Sequence, residues 1–175
     1  MSRQEIPANR DLAALAPKVR LATEKVLAGM AAEGFKAKQY DTLRTQDRQA
    51  FLFGKGRTPE QLVDAGCTSV CFAWPTCADG KVTNCSQADQ SWHGYGLAVD
   101  IVEDDATPWT AAQAFWHAVS THGVAAGFVW GGSWKRFPDL PHLQWAKCPI
   151  SPTEDDKLLL KTKGKEAVWA KYDAA

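Results

Sequence analysis

Two segments decide how this chain is read: "SWHGYGLAVDIV", Ser91 to Val102, and its echo "FPDLPHLQW", Phe137 to Trp145. The apolar, β-branched run "GLAVDIV" predicts a buried strand. Side chains alternate faces along a regular strand, so His93 and Asp100, at odd spacing, would point opposite ways. Gly94 and Gly96 remove that conflict, because glycine permits the bend that turns His93 back towards Asp100. Asp139 and His142 pose the same conflict, and Pro138 and Pro141 break the regularity there. Both segments read as loop-to-strand corners where side chains converge on one point.

Two imidazoles and a carboxylate are a sufficient set for a catalytic zinc whose fourth position is left to water. His93, Asp100 and His142 are the expected ligands of one Zn2+. A free carboxylate beside such an ion can take a proton from water and hand it to a leaving amine, and Asp139 is placed for that role. Alone, His93 reads equally as a satisfied structural histidine, and Asp139 reads as a turn residue between prolines. Their joint occurrence, with glycine and proline where the corners need them, favours the metal. His117 and His122 lie five apart on and after a helix, a spacing that shares no face, and read as structural or surface residues.

Working outward, Val19, Ala22, Val26 and Met30 recur at helical spacing, which predicts a helix from Pro17 to about Ala32 with Gly34 as its stop. Only a short helical turn is expected before Pro17. "KAKQYDTLRT" reads as a strand leading to Arg44, and Thr45 as the cap of a short helix through Phe53, closed by Gly54. From Gly56 to Gln90 the turn-rich composition predicts long loops with short strand pieces. "TPWTAAQAFWHAVSTHG" predicts a helix capped by Thr107 or Thr110 and ended by Gly123. "GFVWGG" and "PHLQWA" predict two more strands, joined by a loop holding Trp134, Lys135 and Arg136. The last residues, 146–175, predict one or two short amphipathic helices. The expectation is one α+β domain over residues 1–175: a small, mainly antiparallel sheet flanked by helices, with the zinc site on the sheet face.

Composition narrows the function. Twenty basic residues balance twenty acidic ones, so no global field draws the chain to nucleic acid or anionic lipid. No apolar run approaches the roughly 18 residues of a membrane span, and the start, "MSRQEIPANRDLAALAPK", lacks the apolar core of a secretory signal. A cytoplasmic protein is expected. The eight tryptophans suggest a well-filled core first and a ligand groove second. Cys67, Cys71, Cys77 and Cys85 contain no C-x-x-C pair, which argues against a zinc knuckle and leaves reduced thiols or one or two disulfides open.

Ser91, His93, Gly96, Ala98 and Asp100 match S-x-H-x-x-G-x-A-x-D. Trp130, Gly131, Gly132 and Trp134, then Asp139, Pro141, His142 and Gln144, match W-G-G-x-W and D-x-P-H-x-Q. Upstream, Arg44, Thr45, Gln49, Leu52, Phe53, Gly56, Arg57 and Thr58 match R-[ST]-x3-Q-x2-L-[YF]-x2-G-R-T. In this combination the chain resembles the zinc peptidases of bacterial and phage peptidoglycan, the D-alanyl-D-alanine carboxypeptidase (VanY-like) superfamily. Its look is nearest to the L-alanyl-D-glutamate peptidases of phage endolysins. The core motifs cover residues 43–145, and the cysteine-rich stretch departs from the pattern.

The resemblance implies a hydrolase of peptidoglycan stem peptides acting on the L-alanyl-D-glutamate bond, or alternatively a D-alanyl-D-alanine carboxypeptidase or dipeptidase. It implies Asp139 as general base and Arg44 as the site arginine that clamps a carboxylate or stabilises an oxyanion. Ser91, Gln49, Trp134 and Gln144 are expected to support ligand or substrate, and Trp134 and Trp145 read equally as groove walls or core. A binding module that keeps the fold without catalysis is disfavoured by the presence of Asp139. The remaining implications are a monomer with antimicrobial action, waiting in the host cytoplasm for a holin-type pore, followed by host lysis at the cell wall.

Overall fold

Four strands, β1 (Ala37–Asp41), β2 (Ala98–Glu103), β3 (Phe128–Trp130) and β4 (His142–Trp145), form one sheet in the order β1-β2-β4-β3, every pair antiparallel. The computed structural model describes residues 6–67 and 89–175. The expectations for Cys71, Cys77, Cys85 and the strand pieces around them lie outside the described residues. Six α-helices are described: α1 (Pro17–Ala32), α2 (Gln46–Gly54), α3 (Pro59–Asp64), α4 (Gln113–Ala125), α5 (Glu154–Lys163) and α6 (Lys165–Lys171). This is the expected α+β architecture.

Strand alternation gives the sheet two different faces. Val99 and Ile101 of β2 and Leu143 of β4 join Val19, Val26 and Met30 of α1 and Phe115 and Val119 of α4 in the main core. Each such fully buried side chain contributes about 1.5–3 kcal/mol. Asp100, His142 and Gln144, at the alternate positions, line a cleft instead. The apolar face thus holds a polar one in place behind it.

The tail docks on the same core. Trp169 of α6 is buried and its Nε1 donates to the carbonyl of Tyr95 at 2.7 Å, while Trp145 Nε1 donates to the Tyr172 carbonyl at 3.0 Å. Asp156, fully buried in the first turn of α5, closes a capping box with Thr153 and also accepts from Tyr172 and Lys171. Those bonds outweigh burial, which alone would raise its pKa, and hold it below the usual carboxylate value.

Four assignments differ from the sequence expectation. Residues Pro59–Asp64, expected as loop, form α3: Thr58 and Gln61 make a reciprocal capping box and Pro59 occupies the first turn. Helix α4 starts at Gln113, not at Thr107 or Thr110, because Asp105 accepts from the Thr107 N–H and builds a separate turn. Gly123 lies inside α4, buried beside Leu143, and the helix ends at Ala125 before Gly127 at φ 97°. The strand before Arg44 stops at Asp41, so Arg44 sits in a loop.

Candidate metal centre

Asp100 and His142 are direct partners in the β2–β4 ladder, which places their side chains next to each other on the cleft face. His93 comes from a short 3-10 turn, Trp92–Tyr95, that precedes β2. Ser91 caps that turn by accepting from the His93 N–H, and Gly96 ends it at φ 69°, a left-handed conformation that suits glycine. The bend expected between His93 and Asp100 is therefore a capped helical turn closed by Gly96.

The corner carrying Asp139 and His142 is fixed by the backbone. The Asp139 N–H donates to the Gly131 carbonyl at 3.0 Å, and the His142 N–H donates to the Asp139 carbonyl at 3.2 Å. Gly131 lies so close that an added Cβ would stand 2.7 Å from the Asp139 carbonyl oxygen and 3.0 Å from the His142 Cβ. The first glycine of W-G-G lets one loop press on the other.

Three acceptor atoms meet in the cleft. His93 Nε2 is 3.1 Å from Asp100 Oδ1 and 3.2 Å from His142 Nδ1, and His142 Nδ1 is 3.3 Å from Asp100 Oδ1. Ligands about 2.0–2.1 Å from a tetrahedral zinc stand about 3.3 Å apart. The nearly equilateral triangle therefore matches one face of a zinc tetrahedron. His93 Nδ1 donates to the Thr42 carbonyl at 2.8 Å, which leaves its Nε2 lone pair turned inward.

Electrostatics prepares the same set. Burial, reinforced by the nearby Arg44 charge, lowers the His93 pKa and favours the neutral, ligating imidazole. Burial alone would raise Asp100, but its neighbours His93, Arg44 and His142 hold it well below the ordinary carboxylate range. His93, Asp100 and His142 are the group of metal-capable side chains found among the described residues, and all three are buried. They fit a metal site.

Asp139 lines the same cleft but stands outside the triangle. Burial first, and then the Asp100 charge, raise its pKa above the ordinary carboxylate value. The cleft encloses about 610 Å³. Arg44 reaches it as a fixed cation: Nε donates to Asp41 Oδ2 at 2.7 Å, Nη1 to Gln49 Oε1 at 3.2 Å, and Nη2 to Asp100 Oδ2. Gln144 Nε2 and Trp92 Nε1 converge on the Pro149 carbonyl, at 3.1 and 2.7 Å. Trp134 lines the cleft with its ring 5.1 Å from that of His142, whereas Trp145 packs on Phe128 at the core margin.

Some contributors leave little trace in the sequence. Asp41 binds both Arg44 and Arg48 through one oxygen, and its other oxygen is buried without a hydrogen-bond partner among the described residues. The D-x-x-R spacing of Asp41 and Arg44 was a usable signal. The Thr42 carbonyl on His93 had none, because any residue supplies a carbonyl.

Residues 84–145 match the family described as D-alanyl-D-alanine carboxypeptidase. The chain is 26% identical over 151 residues to the peptidoglycan L-alanyl-D-glutamate endopeptidase CwlK of Bacillus subtilis (strain 168), covering 81% of this chain and 77% of that protein. It is 26% identical over 134 residues to the L-alanyl-D-glutamate peptidase of Listeria phage A118, covering 75% of this chain but 38% of the phage protein. Among solved structures, it shares the fold of the vancomycin-resistance D,D-pentapeptidase VanY from a VanB-type cassette, in complex with Zn(II). There the TM-score is 0.51 at 16% identity, covering 86% of this chain and 82% of that one. By these matches the chain is similar to the D-alanyl-D-alanine carboxypeptidase (VanY-like) peptidases of peptidoglycan, which supports a hydrolase.

Proposed function

We propose that this chain is a zinc peptidase that cuts peptidoglycan stem peptides between L-alanine and D-glutamate. One observation carries the chemistry: three buried acceptor atoms at 3.1–3.3 Å from one another, with the unligated Asp139 carboxylate in the same cleft. The bond assignment is supported by CwlK and the phage protein, both named for it.

In this reading His93, Asp100 and His142 hold one Zn2+. The ion supplies Lewis acidity, lowering the pKa of a water and polarising a carbonyl. Asp139 takes the proton from the attacking water and returns it to the leaving amine nitrogen. Its raised pKa suits a group that must both accept and donate. Arg44, fixed by three protein acceptors, presents positive charge where a stem carboxylate or an oxyanion sits, and steadies Asp100. Gln49 orients Arg44, Ser91 orients His93, Gln144 braces the β4 side, and Trp134 walls the cleft beside His142.

A relative from a phage is compatible with a lytic role, and in this reading a monomer reaches the wall through a holin-type pore. Among the described residues no helix is long and apolar enough to cross a membrane. The second reading, a D-alanyl-D-alanine carboxypeptidase, is favoured by the family description and the VanY fold. Mass spectrometry of muropeptide digests separates the two. Release of a peptide beginning with D-glutamate is expected, and release of D-alanine alone would select the second reading.

A further inference from the structure

The rim of the cleft carries a feature that the metal chemistry does not use. Trp109 lines the cleft and is 50% exposed, a large area for an indole. Its ring packs edge-on against Tyr40, with centroids 4.6 Å apart, and Tyr40 lines the cleft too. The presentation is built, not loose. Asp105 accepts from the Thr107 N–H at 2.8 Å, Thr110 donates from both N–H and hydroxyl to the Thr107 carbonyl at 3.0 Å, and Trp116 Nε1 ties down the Ala111 carbonyl at 3.0 Å.

Tyr40 is placed by an irregularity in the ladder. Gln39 pairs with Ile101 and Asp41 with Asp100, so Tyr40 is the extra residue of a β-bulge beside Asp100. Bulges re-aim side chains next to active sites. Adjacent strands lie about 4.8 Å apart, so the Tyr40 backbone runs beside that of Asp100, and Tyr40, Trp109 and Asp100 line one cleft.

We infer that Trp109, backed by Tyr40, is a sugar platform that recognises the N-acetylated amino sugar to which the stem is attached. This inference rests on the proposed L-alanyl-D-glutamate cleavage. In peptidoglycan the L-alanine nitrogen is amide-linked to the lactyl ether of that sugar. A cut after L-alanine therefore leaves about two chain units, or roughly 7 Å, between the scissile bond and the pyranose ring. Nearby stem groups are a methyl and charged carboxylates, neither matched to a flat indole. The C–H face of a pyranose is matched to it, being apolar, ring-sized and rimmed by hydroxyls. For a cut at the D-alanine end the sugar would lie several residues away, out of reach of this pair.

The test compares two substrates, a disaccharide-linked stem tetrapeptide and the same tetrapeptide with an N-lactoyl cap, which removes only the sugars. The wild type should show kcat/KM at least about tenfold higher on the sugar-bearing substrate, the scale of one good aromatic stack. Trp109→Ala should bring the ratio of the two towards one, and Trp109→Phe should keep most of it. A wild-type ratio of one, or an unchanged ratio in Trp109→Ala, would overturn the platform. An equal loss on both substrates leaves the ratio unchanged and so counts against it. Products are identified in the same runs: cleavage at the D-alanine end overturns the parent reading, while a ratio of one with cleavage after L-alanine overturns the platform alone.

Discussion

Replacing Asp139 by asparagine separates a base from a ligand. The hydrogen bonds that fix this corner run through the backbone, from the Asp139 N–H to Gly131 and from the His142 N–H to the Asp139 carbonyl. An isosteric amide leaves both intact, so His142 should stay in register opposite Asp100. The three ligand atoms do not include Asp139, so zinc occupancy should stay near the wild-type value. What the amide cannot do is accept a proton. A positioned base contributes about 10²–10⁴ in rate, or about 2.7–5.4 kcal/mol of barrier at 1.36 kcal/mol per decade. The pH profile carries the same signature. Burial and the Asp100 charge raise the Asp139 pKa, so wild-type activity should rise with pH as this group ionises, at a pH above the ordinary carboxylate value. That limb should vanish from the residual activity of Asp139→Asn. Zinc content and turnover are to be measured on one preparation. Metal lost in step with activity would make Asp139 a ligand, and full activity would make it a bystander.

Two further outcomes follow from the charges. Arg44→Lys keeps the charge but cannot reach Asp41, Gln49 and Asp100 together, so kcat/KM should fall at least about tenfold, some 1.4 kcal/mol; an unimpaired enzyme would reduce Arg44 to a structural ion pair. At the C-terminus, hydrogen bonds and charge from Lys147 and Lys18 depress the Asp173 pKa from 3.8 to about 2. A depressed folded-state pKa stabilises above the unfolded value and is lost as pH falls through the folded one. Asp173→Asn should therefore melt below the wild type at neutral pH, the gap closing between pH 3.8 and about 2, and a pH-independent gap would refute the linkage.

Much of the site was legible in the sequence because its chemistry lies in residue types. Histidine and aspartate at glycine- and proline-broken corners announce convergence, and the structure brings His93, Asp100 and His142 within 3.3 Å. Elements α1 and α2 were legible for the same local reasons, Pro17 in a first turn and Thr45 as a cap. The start of α4 was not. Ala112 offers no capping side chain, and the helix begins where Phe115 and Trp116 meet the core. Helix α3 was legible in T-P-E-Q but hidden by the turn-rich composition around it. Trp134 and Trp145 looked alike as letters; only tertiary packing sends one to the cleft and the other to Phe128. The Tyr40 bulge depends on pairing with β2, which periodicity within β1 does not encode.

The central claim is that His93, Asp100 and His142 hold a catalytic zinc, and elemental analysis of the purified wild type beside His142→Ala tests it most directly. His142 closes a triangle whose sides are 3.1–3.3 Å, so removing its imidazole leaves two protein donors where a catalytic zinc site uses three besides water. Wild type should carry one zinc per chain, and His142→Ala should carry almost none while keeping the apolar core behind the sheet. Equal zinc in the two proteins, or none in an active wild type, would contradict the account.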